Sequence, residues 1–165
     1  MFNIGDLVVY GVSGVCRVED ITREPDDAEG VLCYVIKSLF QELTITTPVD
    51  TKITMRPVIS KEEAEHLISK ISENDVKTFN SREFKELDTH YRQFVLRNSV
   101  PDLIELTMSI YAKRRDARNA KKTLGVVDAK YKKIAESLLY GELATALNVE
   151  KAEVQSYIAE RLKEM

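Results

Sequence analysis

The sequence predicts an α+β protein in which a small β-rich domain precedes an all-α helical bundle. Five short apolar runs separated by turn residues occupy the first 58 positions, and none has helical periodicity. From Ser60 onward, apolar residues recur at spacings of three and four, which is typical of amphipathic helices. We therefore expect a β domain over 1–58, a helix and linker over 59–81, and a helical domain over 82–165.

Turn residues bound each predicted strand. Gly11 and Gly14 mark the first turn, and the polar loop over 23–30 predicts a hairpin connection. The predicted strands cover residues 7–10, 15–18, 31–38, 43–47 and 53–58. Five short strands within 58 residues predict a small curled sheet or barrel.

Capping residues mark the helices that follow. Ser60 and Glu63 form a capping box, and Ser99 is a good N-cap with Pro101 in the first turn. Helices are predicted over 60–71, 82–96, 99–122, 128–147 and 148–163, and the polar stretch 72–81 marks the domain boundary. On the second of these helices, Phe84, Leu87, Tyr91, Phe94 and Val95 share one apolar side.

Composition excludes several functional classes. Cys16 and Cys33 lie in apolar runs and, like His66 and His90, show no metal-ligand spacing, so we expect no metal, no cofactor and no small-molecule ligand. Reduced core thiols are expected, with a Cys16–Cys33 disulfide as the alternative. No catalytic motif is present, so we expect a protein that is not an enzyme. The alternative hypothesis is an enzyme whose active site lies between the two domains. Without a signal peptide or membrane span, we expect a soluble, cytoplasmic protein.

The third predicted helix ends in a dense basic run. Within residues 82–133, 13 Lys and Arg stand against 7 Asp and Glu, although the whole chain carries a net charge of −3. This distribution indicates contact with a polyanion through phosphates and groove shape rather than base readout. The candidate DNA-binding residues are Arg82, Lys85, Lys113, Arg114, Arg115, Arg118, Lys121 and Lys122. Neighbouring helices add Arg92, Arg97, Lys130, Lys132 and Lys133.

Two other interpretations of this run stay open. Its cations could simply solvate the last turns and complement the helix dipole. They could instead bind an acidic protein partner, which would make the chain a protein-interaction module without a role in DNA binding. In the β domain, Arg17, Arg23, Thr44 and Thr46 lie beside strand edges, where a free edge can accept a partner's strand.

Several motifs together resemble the CarD/CdnL family of bacterial transcription regulators. They are FNIGDLVVYGVSGVCRVEDI, YVIK, LTITTPVD and KIAESLLYGELATALN, which occur in the family's order and span nearly the whole chain. The resemblance implies a Tudor-like β domain, shared with transcription-repair coupling factor, that binds the RNA polymerase β subunit. It also implies a helical domain that contacts promoter DNA at the upstream fork, stabilises the open complex, and acts in the cytoplasm with the nucleoid-associated polymerase.

The sequence departs from the family pattern at two places. Members place a tryptophan near the start of the helical domain as a minor-groove wedge, whereas this chain has no tryptophan. Phe84 or Phe79 could take that position, unless Phe84 belongs to the core and Phe79 anchors the linker. The polymerase-facing strand carries Thr46 where some relatives have an arginine, so contact would depend on Arg17, Arg23 and the strand residues Thr44, Ile45, Thr46 and Thr47.

Overall fold

The computed structural model describes residues 1–23, 30–71 and 76–163. The chain divides into two compact units, Met1–Ile59 and Ser60–Met165, which we term the β unit and the helical unit. The first is an antiparallel sheet and the second a set of α-helices, which confirms the α+β prediction. The segment 59–81, which the sequence sets apart, contributes its helix to the helical unit, while residues 72–75 of its linker lie outside the described residues.

The β unit is built on one five-stranded sheet with the order β4-β3-β2-β1-β5. Its strands are β1 (Leu7–Tyr10), β2 (Gly14–Arg23), β3 (Leu32–Ser38), β4 (Thr44–Pro48) and β5 (Met55–Pro57). In the described part of the chain β4 and β5 do not pair with each other, so the sheet is open rather than closed into a barrel. Most of the loop predicted over 23–30 lies outside the described residues, but β2 and β3 on either side pair as a hairpin.

Alternate residues of β1, β2 and β3 form one buried hydrophobic cluster. Its buried members are Val8, Tyr10, Cys16, Val18, Tyr34 and Ile36. Cys16 and Cys33 are buried free thiols, as predicted for core residues, and burial raises the pKa of the Cys16 thiol. Gly11 and Gly14 take φ values of 45° and 74° in the turn between β1 and β2, a region that glycine enters without strain.

The helical unit contains five α-helices among its described residues. They are α1 (Lys61–Ser69), α2 (Phe84–Arg97), α3 (Val100–Asn119), α4 (Val126–Leu147) and α5 (Val154–Lys163). The predicted caps form, because Ser60 Oγ accepts from the Glu63 N–H and Ser99 Oγ from the Asp102 N–H. The predicted helix over 148–163 begins later, since Asn148 adopts a left-handed φ of 56° that ends α4.

Helix packing in this unit is organised around α4. It contacts α1, α2, α3 and α5, and α2 also packs on α3. The predicted apolar stripe of α3 is buried through Leu103, Leu106 and Ile110. This packing fixes the direction in which α3 carries its basic C-terminal turns.

Candidate functional site

The C-terminal turns of α3 present cations along one side of the helix. Arg114, Arg115 and Arg118 fall within one stripe at spacings of three and four, and Lys121 and Lys122 follow directly after the helix. Arg115, Arg118 and both lysines are exposed, while Arg114 is half-buried with its guanidinium 5.9 Å from the centre of the Tyr111 ring. These five residues, Arg114, Arg115, Arg118, Lys121 and Lys122, are termed the basic face.

The basic face is not neutralised by neighbouring acids. None of its five side chains forms an ion pair with a carboxylate of residues 1–23, 30–71 or 76–163. The cations of α2 and α4 differ, because most of them are paired with carboxylates. Four such pairs are Arg92–Asp88 at 2.6 Å, Arg97–Asp102 at 3.6 Å, Lys130–Asp88 at 3.3 Å and Lys132–Glu136 at 3.0 Å. The concentration of positive charge therefore lies on α3 and not evenly across the three helices.

Lys113 is directed into the helical unit. Its Nζ donates to Asp128 Oδ1 at 2.7 Å, to the Phe79 carbonyl at 2.8 Å and to the Tyr91 hydroxyl at 3.2 Å. Only 11% of its side chain is exposed. A helix turns about 100° per residue, so Lys113 points away from Arg115 and Arg118. Its ammonium is thus committed to internal partners and does not belong to the basic face.

Tyrosine hydroxyls complete the polar interior around these helices. Tyr91 donates a short hydrogen bond to Asp128, and burial together with that carboxylate raises the pKa of Tyr91. Tyr111 donates to Glu136 at 2.6 Å and lies 2.6 Å from the Tyr140 hydroxyl. The pKa of Tyr111 is raised mainly by burial and, to a smaller extent, by these hydrogen bonds. Both phenols are therefore fixed neutral donors that hold α3 against α2 and α4.

The structure separates the two candidate wedge residues. Phe84, the first residue of α2, is 70% exposed and so is not a core residue, and it lies between the exposed Arg82 and Lys85. Phe79 is half-buried and stacks on His90, with ring centroids 3.9 Å apart at 13°. Of the two rings, Phe84 is the more exposed.

β4 forms one free edge of the sheet. The Ser38 N–H donates to Leu43 and the Val49 N–H to Leu32, which identifies the bonded pairs of the β3–β4 ladder. Because bonded and non-bonded pairs alternate in antiparallel sheets, the backbone polar groups of Thr44 and Thr46 point away from β3. Two outward N–H donors are therefore available to another strand.

The predicted polymerase-binding side chains occupy two different faces. Thr44 lies opposite Lys37, which lies opposite Arg17, so these three form a cross-strand row on the exposed face. Thr47 is buried and accepts a hydrogen bond from the Tyr10 hydroxyl at 3.0 Å, and the half-buried Ile45 packs on the core. The exposed residues of β4 are thus Thr44, Thr46 and Pro48.

Arg23 lies apart from this row. It is exposed at the end of β2, with its guanidinium 3.5 Å from the Gly30 carbonyl. Because β3 lies between β2 and β4, Arg23 is not on the free edge.

Sequence reasoning missed an exposed apolar surface at one end of the sheet. Val12 is 65% exposed, Ile53 50% and Phe40 41%, and Leu39 and Leu43 are also exposed. All five lie in turns or connections at the end where β1 meets β2 and β3 meets β4. For Val12, Leu39 and Phe40 the available signal was their position outside the predicted strands, where alternation does not direct side chains into the core. Leu43 and Ile53 were predicted inside strands, whereas β4 begins at Thr44 and β5 at Met55.

The described residues offer no metal-binding cluster of three or more His, Cys, Asp or Glu side chains. In that same part of the chain, no helix combines the length and the apolar character needed to cross a membrane.

Comparison with known protein families assigns the β unit. Residues 2–59 match the CarD-like/TRCF RID domain, a range that coincides almost completely with the β unit. The helical unit lies outside this match, and no curated protein matches the chain. The β unit is therefore a CarD-like/TRCF RID domain, which is an RNA polymerase-interacting module.

Proposed function

We propose that the protein stabilises the open promoter complex by binding RNA polymerase and upstream-fork DNA at the same time. The β unit would bind the polymerase β subunit, and the helical unit would bind DNA in the cytoplasm, where transcription takes place. No catalytic step is part of this proposal. The observation that carries it is the basic face, five cations without an ion pair among the described residues, on a chain that already has a polymerase-interacting module.

The basic face suits a phosphate backbone better than a base sequence. In the described part of the chain its arginines and lysines have no ion partner, so binding phosphates breaks none of the ion pairs found there. Such contacts release counterions from DNA and give an affinity that falls steeply with salt. They carry no sequence information, which fits a factor that acts on many promoters through duplex shape.

Phe84 supplies an exposed apolar ring close in the sequence to the cations Arg82 and Lys85. An exposed ring costs little to desolvate further and can insert between base steps, while adjacent cations bind the flanking phosphates. A phenyl ring covers less of a base step than an indole and lacks its N–H. We therefore expect a smaller increase in open-complex lifetime than a tryptophan would give.

The free edge of β4 offers a route to the β subunit. Two outward N–H groups, at Thr44 and Thr46, can pair with a strand of the partner, and Arg17 and Lys37 extend the exposed row beside them. Backbone pairing gives affinity without requiring the arginine that some relatives carry at position 46.

The proposed effect is a population shift between promoter states. A factor favours the open complex only by the difference between its affinities for the open and closed states. The melted fork exposes a distorted base step for Phe84 that the closed duplex lacks, while the basic face binds duplex phosphates in either state. Tethering through polymerase then raises the effective DNA concentration at the helical unit.

Replacing Arg114, Arg115 and Arg118 together by Ala tests this proposal. We expect weaker binding of forked promoter DNA in the presence of polymerase, with the slope of log K against log salt reduced by up to about 2.7, since each phosphate contact contributes about 0.9. Titrations at several salt concentrations give both quantities.

The matched control replaces Arg92, Arg97 and Lys130, which removes the same charge from side chains that already pair with carboxylates. We expect a smaller change in the salt slope for this variant. Equal slopes for wild type and the arginine variant would contradict the proposal.

A further inference from the structure

A groove between α3 and α5 runs along the helical unit. Its apolar half is a cleft of about 210 Å³ whose walls include Ile104 and Met108 from α3 and Ile158 and Leu162 from α5. These four side chains are only half-buried, although they lie on helices whose other faces are packed. The groove is therefore apolar surface that the described part of the helical unit leaves uncovered.

The groove continues into a basic half. A second depression, of about 410 Å³, is lined by Tyr111, Arg114, Arg115, Arg118, Asn119 and Gln155. Tyr111 and Gln155 border both halves, so the two form one continuous surface. We term the whole surface the α3–α5 groove.

The sequence of α3 explains this polarity. Ile104, Met108, Tyr111, Arg115 and Arg118 follow one another at spacings of four, three, four and three, so they form a single stripe. The stripe is apolar for two turns and cationic for the next two, and it is about 21 Å long. The facing residues of α5, from Gln155 to Leu162, are uncharged where they line the groove.

We propose that the α3–α5 groove binds an acidic amphipathic helix of a protein partner. Such a helix would place apolar side chains at i, i+3 or i+4, and i+7 in the apolar half and carboxylates against the arginines. Charge complementarity selects an acidic partner, because the three arginines lack internal ion pairs among the described residues. A nucleic acid backbone has no side chains to fill the apolar half, so the whole groove fits a protein better than DNA.

This inference goes beyond the proposed function and adds regulation to it. The groove uses Arg114, Arg115 and Arg118, which are also the proposed phosphate contacts. A bound acidic helix and DNA would therefore exclude each other. A partner carrying such a helix would release the upstream DNA while the β unit still held polymerase.

A displayed library of helical peptides about 16 residues long, selected on the full chain, tests the proposal. We expect enrichment of peptides that carry two or three apolar residues on one face followed by acidic residues on that face. Affinities of an enriched peptide are then measured for wild type, Ile158→Glu and Arg118→Glu. We expect each substitution to weaken binding about tenfold or more.

Lys61→Glu is the control, because Lys61 is an exposed cation on α1 outside the groove, and we expect it to leave the affinity unchanged. The exposed Arg118 has no packing role that its substitution would disturb, so Arg118→Glu remains informative if Ile158→Glu fails to fold. No enrichment, or enriched peptides whose affinity is unchanged in a folded groove variant, would overturn the proposal.

Competition with forked DNA separates this inference from the proposed function. Displacement of the peptide by DNA supports both. Peptide binding that depends on Arg118, together with forked-DNA binding that does not depend on the arginines, would remove the proposed function and keep this one. DNA binding that depends on the arginines, together with a failure to select any peptide, would keep the proposed function and overturn this inference.

Discussion

Two basic residues on α3, Lys113 and Arg115, differ in solvent exposure although they are only two positions apart. Lys113 is nearly enclosed by Asp128, Tyr91 and the Phe79 carbonyl, whereas Arg115, two residues later, is exposed. A buried ammonium is tolerated only where it has a charge partner and hydrogen bonds, and Lys113 has both. Its role is to hold the residues before α2 against α3 and α4.

Lys113→Met tests this role. The substitution leaves the buried Asp128 carboxylate without its cation, and we expect the free energy of unfolding to fall by about 3 kcal/mol in urea titrations. Adding Asp128→Asn should recover part of the loss, because the uncompensated charge is then removed. Lys121→Met is the exposed control, and a loss no larger than that of the control would contradict the assignment.

His90 gives the helical unit a pH dependence. Burial lowers its pKa, an effect that Lys113 and Arg97 reinforce and Glu105 opposes. The folded state therefore binds fewer protons than the unfolded state near the usual histidine pKa. The resulting stability is fully present above pH of about 6.5 and is lost as the pH falls through that region.

His90→Phe tests this dependence while it keeps an aromatic ring against Phe79. We expect wild type to lose more unfolding free energy than the variant between pH of about 7 and about 5.5, where carboxylates titrate little. Urea midpoints at the two pH values provide the comparison. An equal loss in both proteins would assign the effect to other groups.

At the scale of elements, β4 has an exposed backbone edge, while its inward side chains hold the strand on the core. Its inward residues, Ile45 and Thr47, tie the strand to the core and to Tyr10, while the backbone groups of Thr44 and Thr46 point outward. Natural edges of this kind are usually protected, and a short strand ending at Pro48 limits unspecific pairing. The edge is thus ordered but still able to accept one strand.

Thr46→Pro tests strand pairing with polymerase. Proline removes an N–H that β3 does not use, so the sheet should remain folded, as judged by circular dichroism. We expect binding of the isolated polymerase β subunit to weaken about fivefold, the equivalent of one lost backbone hydrogen bond. Thr46→Val keeps the N–H and should bind like wild type. Unchanged binding by a folded Thr46→Pro protein would exclude pairing through this edge.

Elements whose signals are local could be predicted from the sequence. The Ser60 and Ser99 caps, the alternation in β4 and the burial of both cysteines each depend on a few neighbouring residues, and all are present. Side-chain environments set by distant residues could not be predicted. Lys113 and Arg115 have the same charge, and periodicity places Lys113 on the stripe of the buried Ile110, but the partners that allow a lysine there, Asp128 among them, are distant in the sequence.

Phe84 shows the same limit in an apolar residue. Periodicity places it on the stripe of Leu87 and Tyr91, but it is the first residue of α2 and is 70% exposed, whereas the other two are buried. Periodicity identifies a face of a helix and not how far along that face the neighbouring helices extend.

At the scale of the whole molecule, the proposed function assigns polymerase binding to the β unit and DNA binding to the helical unit. The polymerase-interacting module is identified by residues 2–59, and the unpaired positive charge belongs to the helical unit. We expect a chain with a net charge of −3 to bind DNA weakly alone, so the proposed function requires recruitment of the basic face to DNA by polymerase. Under the proposed function, a change in promoter opening requires both polymerase binding and DNA binding.

The lifetime of open complexes on one promoter, with wild type and with Phe84→Ala, tests the central claim most directly. Since Phe84 is largely exposed, the substitution should change the unfolding free energy by no more than about 0.5 kcal/mol. We predict that wild type lengthens the lifetime and that Phe84→Ala loses most of this effect while it still binds polymerase. Equal lifetimes with wild type, with Phe84→Ala and without the protein would contradict the account.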